Sequence, residues 1–280
     1  MCKTVSIINM KGGVGKSTLT VNLAWHLACY NNWLKKVLVV DLDPQFNASQ
    51  YLVGVGKYQE FISEGKLTIW DVFEQHKRTP NGKAKVVNPT DVIRNVVSFV
   101  GGSKIDLLPS RLELSLSLKN PTQKPDLLSK LLDKVKDDYD LILIDCAPTE
   151  SVLTTAAYIA SDYLLVPVKP EYLSTIGLPL LVNSMSDFLD EYEDSNLELL
   201  GVVYNATKGS SPEELASKME VARLCKKNGW TVFEAEISHS LSYPKGAREG
   251  KPIFKTSYAR TTQAAKFRMF ANEFGKKVGL

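Results

Sequence analysis

A glycine-rich segment near the start of the chain, KGGVGKST at residues 11–18, constrains the fold more than any other feature. It follows an apolar run at residues 5–8 and precedes a helix-like stretch. The glycines let successive backbone N–H groups point at phosphate oxygens, beside the positive end of the following helix. Lys16 is placed to reach the β- and γ-phosphates, and Ser17 to ligate Mg²⁺. The segment predicts a strand, a phosphate-binding loop and a helix that bind a nucleoside triphosphate.

A second lysine, Lys11, precedes the glycines, where a phosphate-binding loop needs no charge. Two interpretations are open. Lys11 is either a solvated surface lysine, or it reaches across a two-fold interface to the partner subunit's nucleotide and neutralises charge that develops during γ-phosphate transfer.

The length and composition fit one large α/β domain over residues 1–280. The chain is 44% apolar, which is ordinary for a globular protein. No apolar run is long enough to span a bilayer, and the first strand begins at about Lys3, so we expect no signal peptide and a cytoplasmic protein. The four cysteines form no C-x-x-C pair, so neither a disulfide framework nor a zinc or iron–sulfur site is indicated.

Strand-like apolar runs alternate with helix-like stretches along the chain. The runs lie at residues 5–8, 37–40, 105–108, 141–144, 163–166, 199–203 and 232–237. This alternation predicts a doubly wound, mostly parallel sheet flanked by helices, with the ligand at the carboxyl ends of the strands. Residues 54–102 are less regular, and we interpret them as a helical insertion with a loop at residues 79–88.

Carboxylates follow two of the predicted strands. The second strand runs into DLDPQ at residues 41–45, and the run at residues 141–144 ends in Asp145. At the carboxyl edge of a sheet, an aspartate of the first group can orient an attacking water. Asp145 has the form expected for the aspartate that holds Mg²⁺ through water.

These motifs resemble those of the ParA/MinD family of ATPases, which have a deviant Walker A loop. The resemblance rests on Lys11, on DLDPQ at residues 41–45 and on DCAP at residues 145–148. It extends through VPVKPEY at residues 166–172, TIGL at 175–178 and GKPI at 250–253. It covers nearly the whole chain.

The resemblance implies a dimer in which two subunits sandwich two ATP molecules and Lys11 contacts the opposite nucleotide. Lys16 and Ser17 would bind phosphate and Mg²⁺, Asp43 would support hydrolysis, and Asp145 with Asp41 would organise the metal shell. The nucleotide contacts expected on this basis are Lys11, Gly12, Gly13, Val14, Gly15, Lys16, Ser17 and Thr18, with Asn205 and Pro244 near the adenine.

Within this family, the residues present favour the partitioning branch. The iron-protein and tail-anchor branches use paired or bridging cysteines that this chain lacks. The tyrosine-kinase branch ends in a cluster of tyrosines, whereas no tyrosine follows Tyr258 in this chain. A MinD-like protein that binds membranes through a terminal amphipathic helix stays open, because apolar residues follow helical spacing over residues 264–278. A core-packing helix explains the same stripe. A metabolic P-loop enzyme is a second rival, disfavoured by Lys11 and the DLDPQ motif.

The distribution of charge favours DNA as a partner. Residues 201–280 contain 14 Lys/Arg and 7 Asp/Glu, whereas the first 200 residues contain 20 and 24. Partitioning ATPases bind DNA phosphates without sequence preference. The expected contacts are Lys245, Arg248, Lys251 and Lys255, although a solvated charged face is the alternative. A ParB-like or cargo adaptor protein would stimulate hydrolysis, and the protein would be associated with the nucleoid. Because the first strand begins at about Lys3, we expect no amino-terminal operator-binding domain.

Overall fold

The computed structural model describes residues 1–30, 32–75, 86–119, 124–171, 177–209, 211–257 and 261–280. The strands are β1 (Lys3–Ile7), β2 (Lys36–Leu42), β3 (Arg94–Ser98), β4 (Lys104–Leu108), β5 (Leu141–Cys146), β6 (Tyr163–Val168), β7 (Glu198–Thr207) and β8 (Ile237–Ser238). The helices are α1 (Lys16–Cys29), α2 (Asn47–Val53), α3 (Val55–Ser63), α4 (Ile69–Glu74), α5 (Pro89–Val92), α6 (Asp126–Leu132), α7 (Val152–Ile159), α8 (Gly177–Glu191), α9 (Pro212–Lys227), α10 (Ser242–Glu249) and α11 (Thr261–Val278).

The strands form one sheet in the order β3-β4-β2-β5-β1-β6-β7-β8. Every pairing is parallel except that of β3 with β4. The strands are apolar on both faces because helices cover both sides. Along β2, for example, Leu38 and Val40 belong to one core layer, and Val37 and Val39 belong to the layer on the other side. The predicted doubly wound fold is confirmed.

Two details differ from the sequence prediction. The last predicted strand, at residues 232–237, is reduced to β8 and one isolated bridge between Val202 and Val232. The strand β3 was not predicted, and it lies within the stretch at residues 54–102 together with α3, α4 and α5. The loop predicted at residues 79–88 falls largely outside the described residues, as do Tyr172, Thr175 and Ile176.

The amphipathic stripe near the end of the sequence packs against the sheet. Phe267, Phe270, Phe274 and Val278 of α11 are each no more than 2% exposed and lie in the core layer that contains α1. Gly275 allows the helix to approach Trp33, whose ring would lie 2.6 Å from an added Cβ. The structure therefore supports the core-packing interpretation of the stripe. Among the described residues, no helix is both long and apolar enough to cross a membrane.

Candidate functional site

The glycine-rich loop joins the end of β1 to α1 and has the conformation that its glycines were predicted to allow. Gly13 and Gly15 have φ angles of 76° and 89°, in the left-handed region that favours glycine. Gly15 also caps α1 without a side-chain hydrogen bond, so the first-turn amides of α1 are available to an anion. The loop and the helix together form an anion-binding site.

The Lys16 ammonium lies inside the curve of this loop. Its Nζ donates hydrogen bonds to the carbonyl oxygens of Asn9 (3.2 Å) and Lys11 (3.3 Å). The side chain is 7% exposed. Burial lowers the pKa of Lys16, an effect that the nearby Asp145 carboxylate opposes. A buried cation whose hydrogen bonds within the described residues all go to carbonyl groups is well placed to receive a phosphate.

Asn9, which the sequence analysis did not single out, fixes the start of the loop. Its amide nitrogen donates to the carbonyl of Pro167 on β6 (2.9 Å), and its Oδ1 accepts from the backbone N–H of Lys11 (2.8 Å). Asn9 is fully buried. The Lys11 side chain forms no ion pair with any described residue and is only partly buried. A polar residue directly after an apolar strand and before the glycines was the available signal for Asn9.

Asn205 holds the other side of the loop. It lies near the end of β7, and its Nδ2 donates to the carbonyl of Val14 (2.7 Å). A Cβ on Gly15 would lie 2.4 Å from this nitrogen, so the close approach also requires glycine there. We predicted Asn205 to lie near the adenine. Its observed contact is with the phosphate loop.

Asp41 and Asp145 are neighbours at the carboxyl ends of β2 and β5, where they pair in the sheet register. Both are fully buried. Asp41 accepts hydrogen bonds from the backbone N–H and the hydroxyl of Ser49 (both 2.7 Å) and from the backbone N–H of Asp43 (3.2 Å). Burial raises the pKa of Asp41 to about 7, and these hydrogen bonds oppose the shift. Asp41 thus braces α2 and Asp43 rather than presenting free oxygens as a metal ligand.

Asp145 differs from Asp41 because neither of its oxygens makes a hydrogen bond of good geometry within the described chain. Burial, and then the Asp41 carboxylate, raise the pKa of Asp145 well above its ordinary value, while the Ser17 hydroxyl and Lys16 oppose that shift. An unpartnered buried carboxylate is costly unless a cation or a donor joins it. The oxygen atoms of Asp145 and Ser17 are of the type that Mg²⁺ prefers. These residues therefore fit a magnesium ion.

Asp43 lies at the rim of the same site. Its Oδ1 accepts from the backbone N–H of Gln45 (2.9 Å), and its carbonyl accepts from the backbone N–H of Phe46 (2.8 Å). Phe46 adopts a left-handed φ of 47°, unusual for a large side chain, and its ring stacks on Tyr58 at 5.1 Å. The stacking of Phe46 on Tyr58 stabilises the turn from Asp43 to Phe46. This turn positions the Asp43 carboxylate beside the phosphate loop.

A cavity of about 760 Å³ opens above the loop, within the range of small-molecule and nucleotide sites. It is lined by Gly12, Gly13, Gly15, Lys16, Ser17, Thr18, Asp43 and Pro148, and by residues of α2 and α10 such as Gln50, Tyr51 and Arg248. The cavity brings together most of the predicted phosphate and catalytic residues. Neither Asn205 nor Pro244 lines it.

The four predicted DNA contacts have three different surroundings. Lys245 and Lys251 converge on Glu249, at 3.9 and 3.8 Å. Lys255 lies over the rings of Trp25 and Phe99, at 5.1 and 5.5 Å. Arg248 instead lines the nucleotide-sized cavity. Of the four predicted contacts, Arg248 alone lines this cavity.

This sheet, the glycine-rich loop and the strand-end carboxylates define a P-loop nucleoside triphosphatase. Residues 2–199 match the family described as the AAA domain. Over the full length, the chain is 31% identical to the chromosome-partitioning ATPase Soj of Treponema pallidum, covering 100% of this chain and 99% of that protein. It is 29% identical to the sporulation initiation inhibitor protein Soj of Bacillus subtilis, over 90% of each chain. The protein belongs to the ParA/MinD superfamily of P-loop ATPases, close to the Soj-like members.

Solved structures agree with this fold. An ATP complex of a variant of McdA from Cyanothece has a TM-score of 0.78 to this chain, with 20% identity, covering 100% of this chain and 97% of McdA. The ATP in that complex belongs to a protein of the same fold, and the family to which this chain belongs consists of ATPases.

Proposed function

We propose that this protein is a ParA-type ATPase that forms an ATP-sandwich dimer, binds DNA without sequence preference and positions a plasmid, a chromosome origin or another large cargo. The observation that carries the proposal is the state of Lys11. Its backbone is fixed by Asn9, while its side chain forms no ion pair with the described residues. A cation presented in this way at the mouth of a phosphate site suits a nucleotide on a second subunit.

The chain's own residues divide the work of binding and hydrolysis. The amides of the glycine-rich loop and the Lys16 ammonium would bind the phosphates, and Thr18 would contact the α-phosphate. Ser17 and Asp145 would hold Mg²⁺, which would supply positive charge that neutralises the phosphates. Asp43, held at the rim by its turn, would orient the attacking water. Lys11 from the partner would neutralise charge developing on the γ-phosphate.

Binding of ATP would therefore join two subunits, and hydrolysis would release them. The dimer would align two copies of the basic surface that includes Lys245, Lys251 and Lys255, so that DNA phosphates bind with release of counterions. Hydrolysis would be slow in the absence of a ParB-like or cargo adaptor protein. In the cell, this cycle would place the protein on the nucleoid, within the cytoplasm.

A MinD-like ATPase that acts at the membrane is the alternative. It would need an apolar helix face to insert into lipid, but the face of α11 proposed for this purpose is occupied by core packing. The structure therefore favours DNA over a membrane as the surface on which the protein acts.

DNA binding by point variants tests the proposal. Lys16→Ala should abolish ATP binding, Asp43→Ala should retain a DNA-bound dimer without turnover, and Lys11→Ala should bind ATP but stay monomeric. Lys57→Ala, an exposed lysine of α3, serves as the matched control. Sedimentation with unrelated DNA fragments measures DNA binding, and light scattering measures dimerisation. The proposal fails if the unaltered protein ignores DNA at low salt but sediments with anionic vesicles in the presence of ATP.

A further inference from the structure

The helix α10 carries charged side chains with different surroundings. Arg248 lines the nucleotide-sized cavity. Among the described residues Arg248 forms no ion pair, and Glu249, the carboxylate beside it in the chain, instead pairs with Lys245 and Lys251, at 3.9 and 3.8 Å. An arginine in this state is available to the phosphates of a bound nucleotide. What holds α10 in place therefore decides where this cation lies.

The GKPI motif at residues 250–253, to which the proposed function gives no role as a whole, fixes the end of α10. Gly250 ends the helix with a left-handed φ of 63°. The backbone N–H of Lys251 donates to the carbonyl of Gly246 (2.9 Å). Ile253 is fully buried, and its backbone N–H donates to Oδ1 of Asn22 (2.7 Å). The motif thus ties the carboxyl end of α10 to α1.

Asn22 of α1 is fully buried and has hydrogen-bond partners on three segments of the chain. Besides accepting from Ile253, it donates from Nδ2 to the carbonyl of Thr18 (2.8 Å) and to the hydroxyl of Tyr51 (3.1 Å). The two protons of the amide allow both bonds at once. One side chain therefore joins the phosphate-binding start of α1, the helix α2 and the segment that follows α10.

Tyr51 of α2 lies between this amide and α10. It is 4% exposed and lines the nucleotide-sized cavity together with Arg248. A Cβ on Gly246 of α10 would lie 2.7 Å from the Tyr51 hydroxyl oxygen and 2.5 Å from the carbonyl oxygen of Lys251. The backbone of α10 therefore packs on the Tyr51 hydroxyl at a distance that requires glycine at position 246.

We propose that Tyr51 is a positioning residue for the nucleotide: its hydroxyl, held by Asn22, supports α10 so that Arg248 lies at the cavity and pairs with phosphate. The inference rests on the part of the proposed function that places ATP in this cavity, and it needs neither the dimer nor DNA. Without the hydroxyl, α10 would lose its support, and Arg248 would lose its contact with the nucleotide. Tyr51 thus acts through Arg248 and apart from the residues assigned to hydrolysis.

The variant Tyr51→Phe tests this role, because it removes the hydroxyl and keeps the ring. We expect its affinity for ATP to fall about fivefold, since one hydrogen bond that supports α10 is lost. The KM for ATP should rise by a similar factor while kcat changes by less than about twofold, because the groups assigned to hydrolysis are untouched. Calorimetric titration and steady-state hydrolysis measure the two effects. An unchanged affinity for ATP would overturn the inference.

A double-mutant cycle with Arg248→Ala shows whether Tyr51 acts through that arginine. In the otherwise unaltered protein, Arg248→Ala should weaken ATP binding several-fold. In the Tyr51→Phe protein the same change should cost less than about twofold, because the arginine has already lost its position. If the two losses multiply instead, the side chains act independently and the inference is wrong.

Tyr204→Phe is the matched control. Tyr204 is 7% exposed, its hydroxyl donates to the carbonyl of Lys218 (2.9 Å), and it does not line the nucleotide-sized cavity. Its loss of stability to urea should be similar to that of Tyr51→Phe, while its affinity for ATP stays within about twofold of the unaltered protein. Equal losses of ATP affinity in the two tyrosine variants would overturn the inference, because general destabilisation would then explain both.

Lys11→Ala separates this inference from the proposed function, which expects that variant to bind ATP as a monomer. The titrations are therefore repeated in the Lys11→Ala protein. If the effects of Tyr51→Phe and Arg248→Ala persist there but the unaltered protein neither dimerises with ATP nor binds DNA, the proposed function fails and the positioning role stands. If the unaltered protein does both but Tyr51→Phe binds ATP as Tyr204→Phe does, the inference alone fails.

Discussion

Gly177 at the start of α8 lies against the backbone of Lys11, so closely that a Cβ at position 177 would sit 3.2 Å from the Lys11 nitrogen. The same Cβ would lie 2.9 Å from Oδ1 of Asn9, the atom that accepts the Lys11 N–H. The position of Lys11 therefore depends on α8 as well as on the phosphate loop. Lys11, whose charge we expect to cross the dimer interface, is thus in contact with α8, a helix far from it in the sequence.

Gly177→Ala should lower the ATPase rate by about tenfold and weaken nucleotide binding by a smaller factor, because the added methyl group meets Lys11 and Asn9 directly and reaches Lys16 only through their carbonyl oxygens. Steady-state hydrolysis and nucleotide titration measure the two effects. Gly56→Ala is the control, since nothing lies within 4 Å of a Cβ there and its φ is not in the left-handed region. An unchanged rate in Gly177→Ala would show that Lys11 tolerates the shift.

Asn205→Ala should weaken nucleotide binding by about tenfold, because the Val14 carbonyl loses a buried donor and the loop loses its brace. Calorimetric titration with ATP gives the affinity. Ser103→Ala removes a comparable buried bond, from a hydroxyl to the carbonyl of Ala28 (2.8 Å), at the opposite end of α1. The control should lose stability but keep its affinity for ATP. Equal affinities in the two variants would contradict the role given to Asn205.

Arg248→Ala should reduce nucleotide affinity several-fold, because Arg248 lines the cavity above the phosphate loop and carries a cation that can pair with phosphate. Lys251→Ala should leave nucleotide affinity unchanged and instead lower the salt dependence of DNA binding by about one unit of slope. Nucleotide titration and DNA binding at several salt concentrations distinguish the two. Should Arg248→Ala affect only DNA binding, Arg248 belongs with the lysines, as the sequence alone indicated.

His26 should make the protein sensitive to mild acid. The side chain is 1% exposed on α1, and burial lowers its pKa to about 4, against 6.5 in the unfolded chain. Above pH 6.5 the His26 imidazole is neutral in both the folded and the unfolded protein. As the pH falls from 6.5 towards 4, only the unfolded state gains the proton, so stability should fall by up to about 3 kcal/mol.

Urea unfolding of the unaltered protein and of His26→Gln between pH 7 and pH 4 isolates this loss, because Asp41, whose pKa burial raises to about 7, contributes the opposite pH dependence equally in both proteins. Relative to the unaltered protein, His26→Gln should gain stability as the pH falls through that window, whereas His239→Gln, which alters an exposed histidine, should not. An equally steep profile in His26→Gln would assign the acid sensitivity to other groups.

Most of the correct predictions about the fold came from patterns among residues that are close together in the sequence. The strand, the glycines and the helix around residues 11–18 are adjacent in the chain, so their arrangement follows from backbone conformation and strand-end geometry. Asp145 was singled out because a carboxylate closing an apolar strand needs a partner. The strand β3 was missed because RNVVS is short and lies at the sheet edge, where burial imposes little pattern.

Contacts between residues that are far apart in the chain could not be predicted from the sequence. The contact of Gly177 with Lys11, and the bonds from Asn205 to Val14 and from Ser49 to Asp41, join residues far apart in the chain or on separate elements. Arg248 was grouped with nearby lysines because they are close in sequence. Its location follows from where α10 meets the phosphate loop, which no local pattern encodes.

The burial of α1 within the core limits which segments of the protein can move when the bound nucleotide changes. From Leu19 to Ala28 nearly every side chain of this helix is buried, and α11 is locked beside it through Gly275 and Trp33. We therefore expect α1 to keep its orientation when the γ-phosphate leaves. The difference between the triphosphate and diphosphate states would then be carried by the segments around the amino-terminal end of α1, which bear Lys11, Asp43 and Pro148.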